Sequence, residues 1–513
     1  MKKFREVHQN QIMLLPPSLD EFIDKNHLVR VLDSVIDRIS SKSIEDRFSG
    51  GGTPSYHPRM MLKVILYAYI CHIYSCRKIA KALREDLPFM WLSGMSRPDF
   101  NTVNRFRSEY FRNTMEDIFS QVLLFLEAEG YIDLKNYFVD GSKFEANAGK
   151  YTYVWRKNTE RYKAAVKQRV QSLFHEIDEL NAEEDLKYGE SDLPERGEHS
   201  DITAENIEKV AEEINERLEK EGNKKKARSL KSRANKLKKE SEKLAKYEDQ
   251  ENKLAGRNSY SKTDTDATFM RMKDETLRPA YNVQISTNHQ FLVNYSVGQN
   301  ASDSASFPAH LFKIVKRNEK FIPETYTGDC GYGNHENYLL LSEYKIENFL
   351  KYASFHREQS RNFRQNIFHR DNMRYDEQQD CFYCPADRAL WFRDIRTRKT
   401  ATGFLNQQRV YECEDCDGCP HAEKCKRGVG HRTVQINREL EKFKAKARKN
   451  LNSEKGVKLR KKRGNEVETP FADFKKNQKF SKFSLRGIEK ANHEFGLLCL
   501  AFNIRKYYKK SGN

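Results

Sequence analysis

The sequence has no long apolar segment. No part of its 513 residues approaches the roughly 18 to 20 uninterrupted apolar residues that a membrane-spanning helix requires. The first residues, MKKFREVHQNQIMLL, contain no apolar core of the kind found in secretory signals. Both absences argue against membrane insertion and export, so we expect a cytoplasmic protein.

Cysteine is scarce outside one short segment. Six of the ten cysteines lie between Cys381 and Cys425. Structural disulfides are rare in the cytoplasm, so this clustering suggests metal binding or reduced thiols rather than bridges. The remaining four resemble ordinary small apolar residues: Cys71, Cys76, Cys330 and Cys499.

Acidic residues are too few to balance the basic ones. The 92 Lys and Arg against 74 Asp and Glu give a formal charge of +18 and a pI near 9.2. This balance is expected of a protein whose partner carries many phosphates, and nucleic acid is the leading class. A ribosomal or membrane-surface protein could share it. The length exceeds what one hydrophobic core usually serves, so we expect two to four structural units.

Residues 1–130 are predicted to be helical. The segment HPRMMLKVILYAYICHIYS has apolar residues at helical spacing, and SCRKIAKALRED begins with a plausible N-cap, Ser75. A polar break precedes TVNRFRSEYF, which carries Arg105 and Arg107. This pattern of two short helices, a turn and a third helix is compatible with a helix-turn-helix DNA-binding motif, whose later helix enters the major groove. A generic helical bundle is the alternative.

Residues 151–262 are rich in Glu, Lys and Arg and are predicted to form an insertion. The segments NIEKVAEEINERLEKEG and KKKARSLKSRANKLKKESEKLAKY both place apolar residues at three- and four-residue steps. An antiparallel helical hairpin fits both. Its lysine-rich arm either follows DNA phosphates or is simply a solvated face.

Residues 131–150 and 263–350 read as an α/β core. YFVDGSKFEANA is a strand that leads to Asp140, PAYNVQIS and FLVNYSV resemble a hairpin, and TYTGDCGYGNHEN repeats the strand, acid and glycine pattern at Asp329. We expect both aspartates at the C-terminal ends of strands that a sheet brings together. An Asp-Gly pair alone is most often a turn.

Paired carboxylates of this kind suit phosphodiester chemistry. Two metal ions about 3.5 to 4 Å apart activate the attacking oxygen and stabilise the leaving oxygen. Hard cations such as Mg²⁺ prefer carboxylate oxygens. The chemistry therefore needs two or three acids from different elements, and a third acid from a helix would complete the site.

Several blocks of the sequence resemble the insertion-sequence DDE transposases, in the branch with a helical N-terminal region and a late cysteine cluster. They are VDGSKFEANAGKYTYVW, TDATFMRMKDETLRPAYNVQ and TYTGDCGYGNHEN, with HPRMMLKVILYAY through FMWLSGMSRPDFNTVNRFR at the N-terminal side. The similarity covers nearly the whole chain. It implies an RNase H-like α/β fold with the first acid on the first strand, the second on the fourth strand and a glutamate on a late helix. Residues 441–513 would supply the helices that complete this core.

The resemblance also assigns the site residues. Asp140 and Asp329 take the first two positions and Glu468 the third, all as ligands of Mg²⁺ or Mn²⁺. Lys475 follows Glu468 by seven residues, two helical turns on the same face, as in the family's C-terminal signature. Competing third acids are Glu466, Glu489 and Glu494. Candidate phosphate contacts are Lys475, Arg105 and Arg107.

Residues 351–440 hold the cysteine cluster. Cys381 and Cys384 form one C-x2-C pair, and Cys413, Cys416, Cys419 and Cys425 follow. Such pairs present thiolates to a tetrahedral Zn²⁺, so we expect four of the six to form a structural site, with His421 in reserve. An Fe–S cluster and unliganded thiols are the alternatives.

These patterns together predict a cut-and-paste DNA transposase. It would bind the double-stranded ends of an insertion sequence, cleave them and transfer the 3′ ends to target DNA, and it would associate with the nucleoid when bound. The family implies a homodimer or a higher synaptic multimer. The alternatives are a metal-dependent endonuclease without strand transfer, and a transposase-derived protein that only binds and represses the DNA ends.

Overall fold

The computed structural model describes residues 18–48, 55–112, 114–188, 202–220, 224–426 and 428–512. The chain divides into two compact units, one formed by Met1–Asn147 with Tyr281–Asn513 and the other by Ala148–Ala280. Over the described ranges, no helix has the length and apolar character needed to span a membrane.

The N-terminal part of the first unit is helical, as predicted. His57 caps the third helix by accepting a hydrogen bond from the Arg59 N–H, and Pro58 occupies its first position, where a missing N–H costs nothing. The helices are α1 (Leu28–Asp37), α2 (Lys42–Glu45), α3 (Pro58–Ile70), α4 (Cys76–Glu85), α5 (Leu87–Leu92), α6 (Phe100–Arg105) and α7 (Met115–Ala128), and strand β1 (Asn136–Glu145) follows.

In the described residues of the second unit there are three helices, where the sequence predicted a hairpin of two. Its elements are β2 (Tyr153–Trp155), α8 (Arg156–Tyr188), α9 (Ala204–Lys220), α10 (Lys224–Leu254), β3 (Ser259–Ser261) and β4 (Thr268–Arg271). Helix α8 buries Val166, Val170, Phe174 and Ile177 against the apolar stripes of the other two helices. A pair of helices leaves part of each stripe exposed, and the third helix covers it.

The central sheet of the first unit has the order β6-β5-β1-β7-β8, which confirms the expected RNase H-like fold. Strands β1, β7 and β8 are parallel, and β5 and β6 form the predicted hairpin through His289 and Gln290, both at positive φ as a tight two-residue turn requires. The elements are β5 (Leu277–Asn288), β6 (Phe291–Gly298), α11 (Asp303–Arg317), β7 (Thr325–Gly333), α12 (His335–Glu343) and β8 (Glu347–Tyr352). The first four residues of β5 also pair with β4.

The cysteine-rich segment forms a separate antiparallel sheet in the order β13-β12-β11-β10-β9. Phe382, Leu390, Tyr411 and Val434 form its small apolar core. The elements are α13 (Arg361–Gln365), β9 (Arg374–Asp376), β10 (Cys381–Tyr383), β11 (Ala389–Lys399), β12 (Leu405–Cys413), α14 (Ala422–Cys425) and β13 (Thr433–Ile436).

Three C-terminal helices complete the first unit: α15 (Arg438–Asn452), α16 (Glu454–Ala472) and α17 (Ile488–Lys510). Helix α17 is buried because it packs against β6 on one side and α3 on another. Gly496 permits this approach, since a Cβ there would lie 2.4 Å from the Tyr295 hydroxyl of β6. The N-terminal helices therefore share one core with the sheet.

A charged cluster also joins the N-terminal helices to the sheet layer. Glu116 of α7 lies 2.5 Å from Lys313 Nζ and 3.0 Å from Arg317 Nη2, both on α11. Burial alone would raise the pKa of Glu116, but the two cations outweigh it and lower the pKa to about 2. The nearly buried guanidinium of Arg317 depends on this carboxylate.

We predict that Glu116→Gln destabilises the fold by about 1–3 kcal/mol, because two poorly solvated cations lose their counter-ion. The pKa of Glu116 is lower in the folded protein than in the unfolded chain. Its stabilisation is therefore present above about pH 4.5 and is lost as the pH falls towards 2. Thermal unfolding at pH 7 and at pH 3 measures both effects.

Glu127→Gln is the matched control, since Glu127 lies on the same helix and pairs with the half-exposed Lys320. A surface pair of this kind contributes less than about 1 kcal/mol. Equal losses for the two variants, or a loss for Glu116→Gln that does not shrink at low pH, would contradict the assignment.

Candidate active site

Asp140 and Asp329 lie side by side on neighbouring parallel strands. In the register of these strands Phe138 of β1 lies opposite Thr327 of β7, and each aspartate is two residues further along its strand. Both strands continue past the aspartates, so neither acid ends a strand, contrary to the sequence prediction. The side chains are 22% and 42% exposed, respectively, so both carboxylates are reachable from solvent.

Arg463 of α16 places its guanidinium between the two carboxylates. Its Nη2 lies 3.0 Å from Asp140 Oδ1 and 3.6 Å from Asp329 Oδ2. The Nε and Nη2 atoms are buried and make no aligned hydrogen bond, so the attraction is mainly one of charge. A positive group therefore already occupies the space between the two acids.

The pKa of Asp140 is shifted by burial and by the charges on either side of it. Burial raises the pKa to about 6, Arg463 partly offsets that rise, and Asp329 adds to it. Two carboxylates this close do not both ionise readily without a neighbouring cation. Carboxylate oxygens are also the ligands that Mg²⁺ and Mn²⁺ prefer, so these residues fit a divalent cation.

Helix α16 also contacts β1 further along the strand. Lys475, in the helical turn that follows α16, donates hydrogen bonds to Ser142 Oγ at 2.7 Å and to Lys143 O at 2.8 Å, and its Nζ lies 4.5 Å from the centre of the Phe144 ring. Lys475 was predicted to contact phosphate, and the structure shows it bound to the catalytic strand. Together with Arg463 it holds the helix along β1.

Glu468 lies on α16 between these two points of contact. Its side chain is exposed, and Oε1 lies 3.9 Å from where a Cβ on Gly464 would be. In the parts of the chain that the structure describes, no three His, Cys, Asp or Glu side chains are close enough together to hold a metal ion. The structure therefore brings Asp140 and Asp329 together without Glu468.

The three competing acids have structural partners. Glu466 is buried and accepts a hydrogen bond from the Gln290 N–H in the β5–β6 turn. Glu494 is buried and accepts from the backbone N–H groups of Ser484 and Leu485. Glu489, at the start of α17, forms an ion pair with Arg112.

The two arginines predicted to contact DNA differ in exposure. Arg105 is exposed at the end of α6. Arg107 is only 4% exposed, and its Nη1 donates a hydrogen bond to the Tyr74 carbonyl at 2.7 Å. The Arg107 guanidinium therefore faces the protein interior, and Arg107 lies in a π-helical turn over Phe106–Tyr110.

Four of the clustered cysteines approach one another. Burial, together with the nearby thiols of Cys416 and Cys384, raises the pKa of Cys413 to about 12. Burial also raises the pKa of Cys425, which lies near Arg432, Cys384, Cys416 and Cys419. Backbone N–H groups donate to the sulfurs of Cys384 and Cys416, at 3.3 and 3.2 Å. Cys381 pairs instead with Gln379 and Tyr383.

The sequence analysis missed Asp303, the first residue of α11. Its Oδ1 accepts hydrogen bonds from Asn282 Nδ2 at 2.9 Å and from Gln284 Nε2 at 2.8 Å. Both amides lie on β5 and are buried. The segment YNVQ could have indicated such a residue. Asn282 and Gln284 lie at alternate positions of a buried strand, so their amides need a hydrogen-bond partner elsewhere in the chain.

Comparison with known families agrees with this architecture. A sequence model described as "Transposase DDE domain" matches residues 383–508, which include Glu468 but not Asp140 or Asp329. A second, described as "Transposase domain (DUF772)", matches residues 17–109 in the helical N-terminal part. Neither a curated protein nor a solved structure matches the chain. The two family matches and the RNase H-like sheet support a similarity to insertion-sequence DDE transposases with a helical N-terminal region.

Proposed function

We propose that this transposase binds the ends of its insertion sequence, cleaves them by metal-dependent phosphodiester hydrolysis and transfers the freed 3′ ends to target DNA. The observation that carries the proposal is the pair of Asp140 and Asp329, level on parallel strands and sharing the Arg463 guanidinium. Two clustered acids that require a cation are what divalent-metal phosphoryl chemistry uses.

Asp140, Asp329 and Glu468 would hold the metal ions. Glu468 is supported by its place on α16 between Arg463 and Lys475, both of which contact β1. It is also exposed, whereas Glu466 and Glu494 are buried and committed to backbone hydrogen bonds.

When bound, divalent metal would lower the cost of activating the attacking oxygen and of releasing the leaving oxygen. The aspartates fix the site rigidly, because both belong to strands in the middle of a sheet. Arg463 neutralises them before metal binds. Once displaced from the carboxylates, its guanidinium is placed to pair with a DNA phosphate.

DNA binding rests on the net charge of +18 and on basic residues near the site. Arg105 is exposed on the N-terminal helices and is retained as a phosphate contact. Lys475 would position β1 rather than act as a free phosphate contact. A homodimer or higher synaptic multimer follows from the family alone.

A structural Zn²⁺ in the cysteine-rich sheet is part of the proposal. Cys384, Cys413, Cys416 and Cys425 are the thiols that approach one another, and backbone N–H groups already donate to two of them. Four thiolates would form the closed tetrahedral site of structural zinc. Metal binding would have to draw them together, since no three described cysteines are already close enough to hold an ion.

The cleavage prediction uses a supercoiled plasmid carrying the gene with its flanking DNA, incubated with Mg²⁺. Asp140→Asn, Asp329→Asn and Glu468→Gln should each reduce nicking on the order of a thousandfold, because each removes one metal-site carboxylate. Their affinity for the same DNA should stay within about twofold of the unaltered protein, since the fold and the basic surface persist.

Glu489→Gln is the control, because Glu489 is an exposed glutamate that forms a surface ion pair with Arg112. Joining of a labelled 3′-hydroxyl end to target DNA would separate a transposase from a simple endonuclease. Normal nicking by Asp140→Asn or Asp329→Asn would contradict the proposed site. Binding without nicking by the unaltered protein would favour a DNA-end repressor.

The zinc prediction is one equivalent of Zn²⁺ per chain, measured by elemental analysis of purified protein. Serine at Cys384, Cys413, Cys416 or Cys425 should remove most of it and lower the unfolding temperature. Cys381→Ser should retain it, because Cys381 has other partners. Metal-free protein, or loss of zinc on Cys381→Ser alone, would refute this ligand set.

A further inference from the structure

Lys351 lies beside the two proposed catalytic aspartates, on the third of three neighbouring parallel strands, β1, β7 and β8. Gly328 of β7 pairs with Leu350 of β8 as the last regular pair before a bulge in β7, and Asp329 and Lys351 directly follow these two residues. On its other side Asp329 has Asp140 of β1 as its neighbour. Strands of a sheet are about 4.8 Å apart, so Lys351 is one strand spacing from Asp329 and two from Asp140.

The side chain of Lys351 is on the sheet face that helix α16 covers. Phe349 lies two residues earlier on β8, and alternate residues of a strand share a face. Lys455, near the start of α16, has its Nζ 5.6 Å from the centre of the Phe349 ring. Further along the same helix, Arg463 contacts both aspartates. Helix α16 therefore passes from β8 towards β1 over the face that carries Lys351 and the two acids.

The surroundings of Lys351 are more positive than negative. Burial and the charge of Arg463 lower the pKa of Lys351, Arg460 adds to this effect, and Asp329 opposes it more weakly. Arg460 lies about one helical turn before Arg463 on α16, with its guanidinium carbon 5.4 Å from the centre of the Phe355 ring. Its Nε is buried and makes no hydrogen bond within the described parts of the chain. Half-buried cations in such a place are stabilised by an anion that binds from outside.

A DNA phosphate is the anion that the proposed reaction brings to this place. A lysine side chain is longer than the spacing of about 4.8 Å between neighbouring strands, so the Lys351 ammonium reaches a phosphate bound at Asp329. Lysine acts there as a compact point charge with several hydrogen-bond donors. A donor at a non-bridging oxygen matters most while negative charge develops on that oxygen in the transition state.

We propose that Lys351 binds the DNA phosphate under attack, and that Arg460 is a second contact to the same stretch of DNA backbone. The inference rests on the proposed function and adds a substrate contact to its site. Lys351 donates a hydrogen bond to a non-bridging oxygen and keeps its proton throughout the reaction. A lysine that only balanced the charge of Asp329 would make no contact with DNA, and this difference is what the experiment measures.

The first measurement is the affinity of the full-length protein for a linear fragment of the flanking DNA at several salt concentrations, with Ca²⁺ in place of Mg²⁺. Each phosphate contact contributes about 0.9 to the slope of log affinity against log salt concentration. Lys351→Gln and Arg460→Gln should therefore each reduce the steepness of that slope by about one. An unchanged slope for Lys351→Gln would overturn the proposal, because it would leave Lys351 as a counter-ion only.

The second measurement is nicking of the supercoiled plasmid at saturating protein with Mg²⁺. Lys351→Gln should slow nicking on the order of a hundredfold, the loss that follows removal of one donor to a developing oxyanion. Lys351→Arg keeps a positive donor and should nick within about fivefold of the unaltered protein. Equal losses for Lys351→Gln and Lys351→Arg would overturn the proposal. If Lys351→Gln does not fold, Lys351→Met keeps the apolar length of the side chain and carries the same predictions.

Lys455→Gln is the matched control. Lys455 also lies over β8, but it pairs with Glu347 at 2.6 Å, at the end of the strand away from Lys351. The substitution removes one positive charge from the same helix and strand, and should change neither the salt slope nor the nicking rate. An equal change of slope for Lys455→Gln and Lys351→Gln would show an effect of net charge alone and would overturn the assignment.

The outcomes separate this contact from the proposed function. Normal nicking and a normal salt slope for Lys351→Gln, with nicking lost for Asp140→Asn, would overturn the role of Lys351 and leave the proposed function standing. Absence of nicking by the unaltered protein would remove the proposed function, and with it the phosphate that Lys351 is proposed to bind.

Discussion

The structure is organised around two carboxylates that repel each other. Asp140 and Asp329 lie on adjacent parallel strands. Burial and the charge of Asp329 raise the pKa of Asp140 to about 6, although Arg463 partly offsets this rise. A folded protein would not normally retain such a pair without a compensating cation. Arg463 supplies one, and it comes from a helix that the C-terminal part of the chain places across the sheet.

Several other elements of the structure hold this pair of aspartates in place. Helix α16 must lie along β1 to deliver Arg463, and Lys475 fixes it there through Ser142 and Lys143. Helix α17 packs between β6 and α3, so the N-terminal helices share a core with the catalytic sheet. The charged helical unit is inserted between β1 and β5, the cysteine-rich sheet lies between β8 and α15, and neither interrupts the central strand order.

The two aspartates could be found from sequence because each follows a run of apolar and aromatic residues and precedes a glycine. The fold class could be predicted for the same reason, since strand and helix patterns alternate through the core. Helix α8 was not predicted, although Val166, Val170 and Phe174 are at helical spacing. The many charged residues between them obscured this apolar pattern. The cysteine-rich sheet was missed because two of its strands have only three residues each.

Contacts between distant side chains could not be predicted. Asp303 approaches Gly141 because β5, β1 and α11 converge there, and no local sequence pattern predicts this contact. Arg105 and Arg107 are two residues apart and face opposite sides of the helical segment, so Arg105 is exposed and Arg107 is buried. Arg463 ends a run of basic residues, RKKR, and its place between two carboxylates depends on how α16 lies across the sheet.

The central claim is that a divalent cation replaces the Arg463 guanidinium between Asp140 and Asp329. Crystals of the full-length protein soaked in Mn²⁺ would test this directly through anomalous scattering. The account predicts an anomalous peak within coordination distance of both carboxylates, with the Arg463 guanidinium moved away from them. Ordered carboxylates with Arg463 still between them, and no peak at that position, would contradict it.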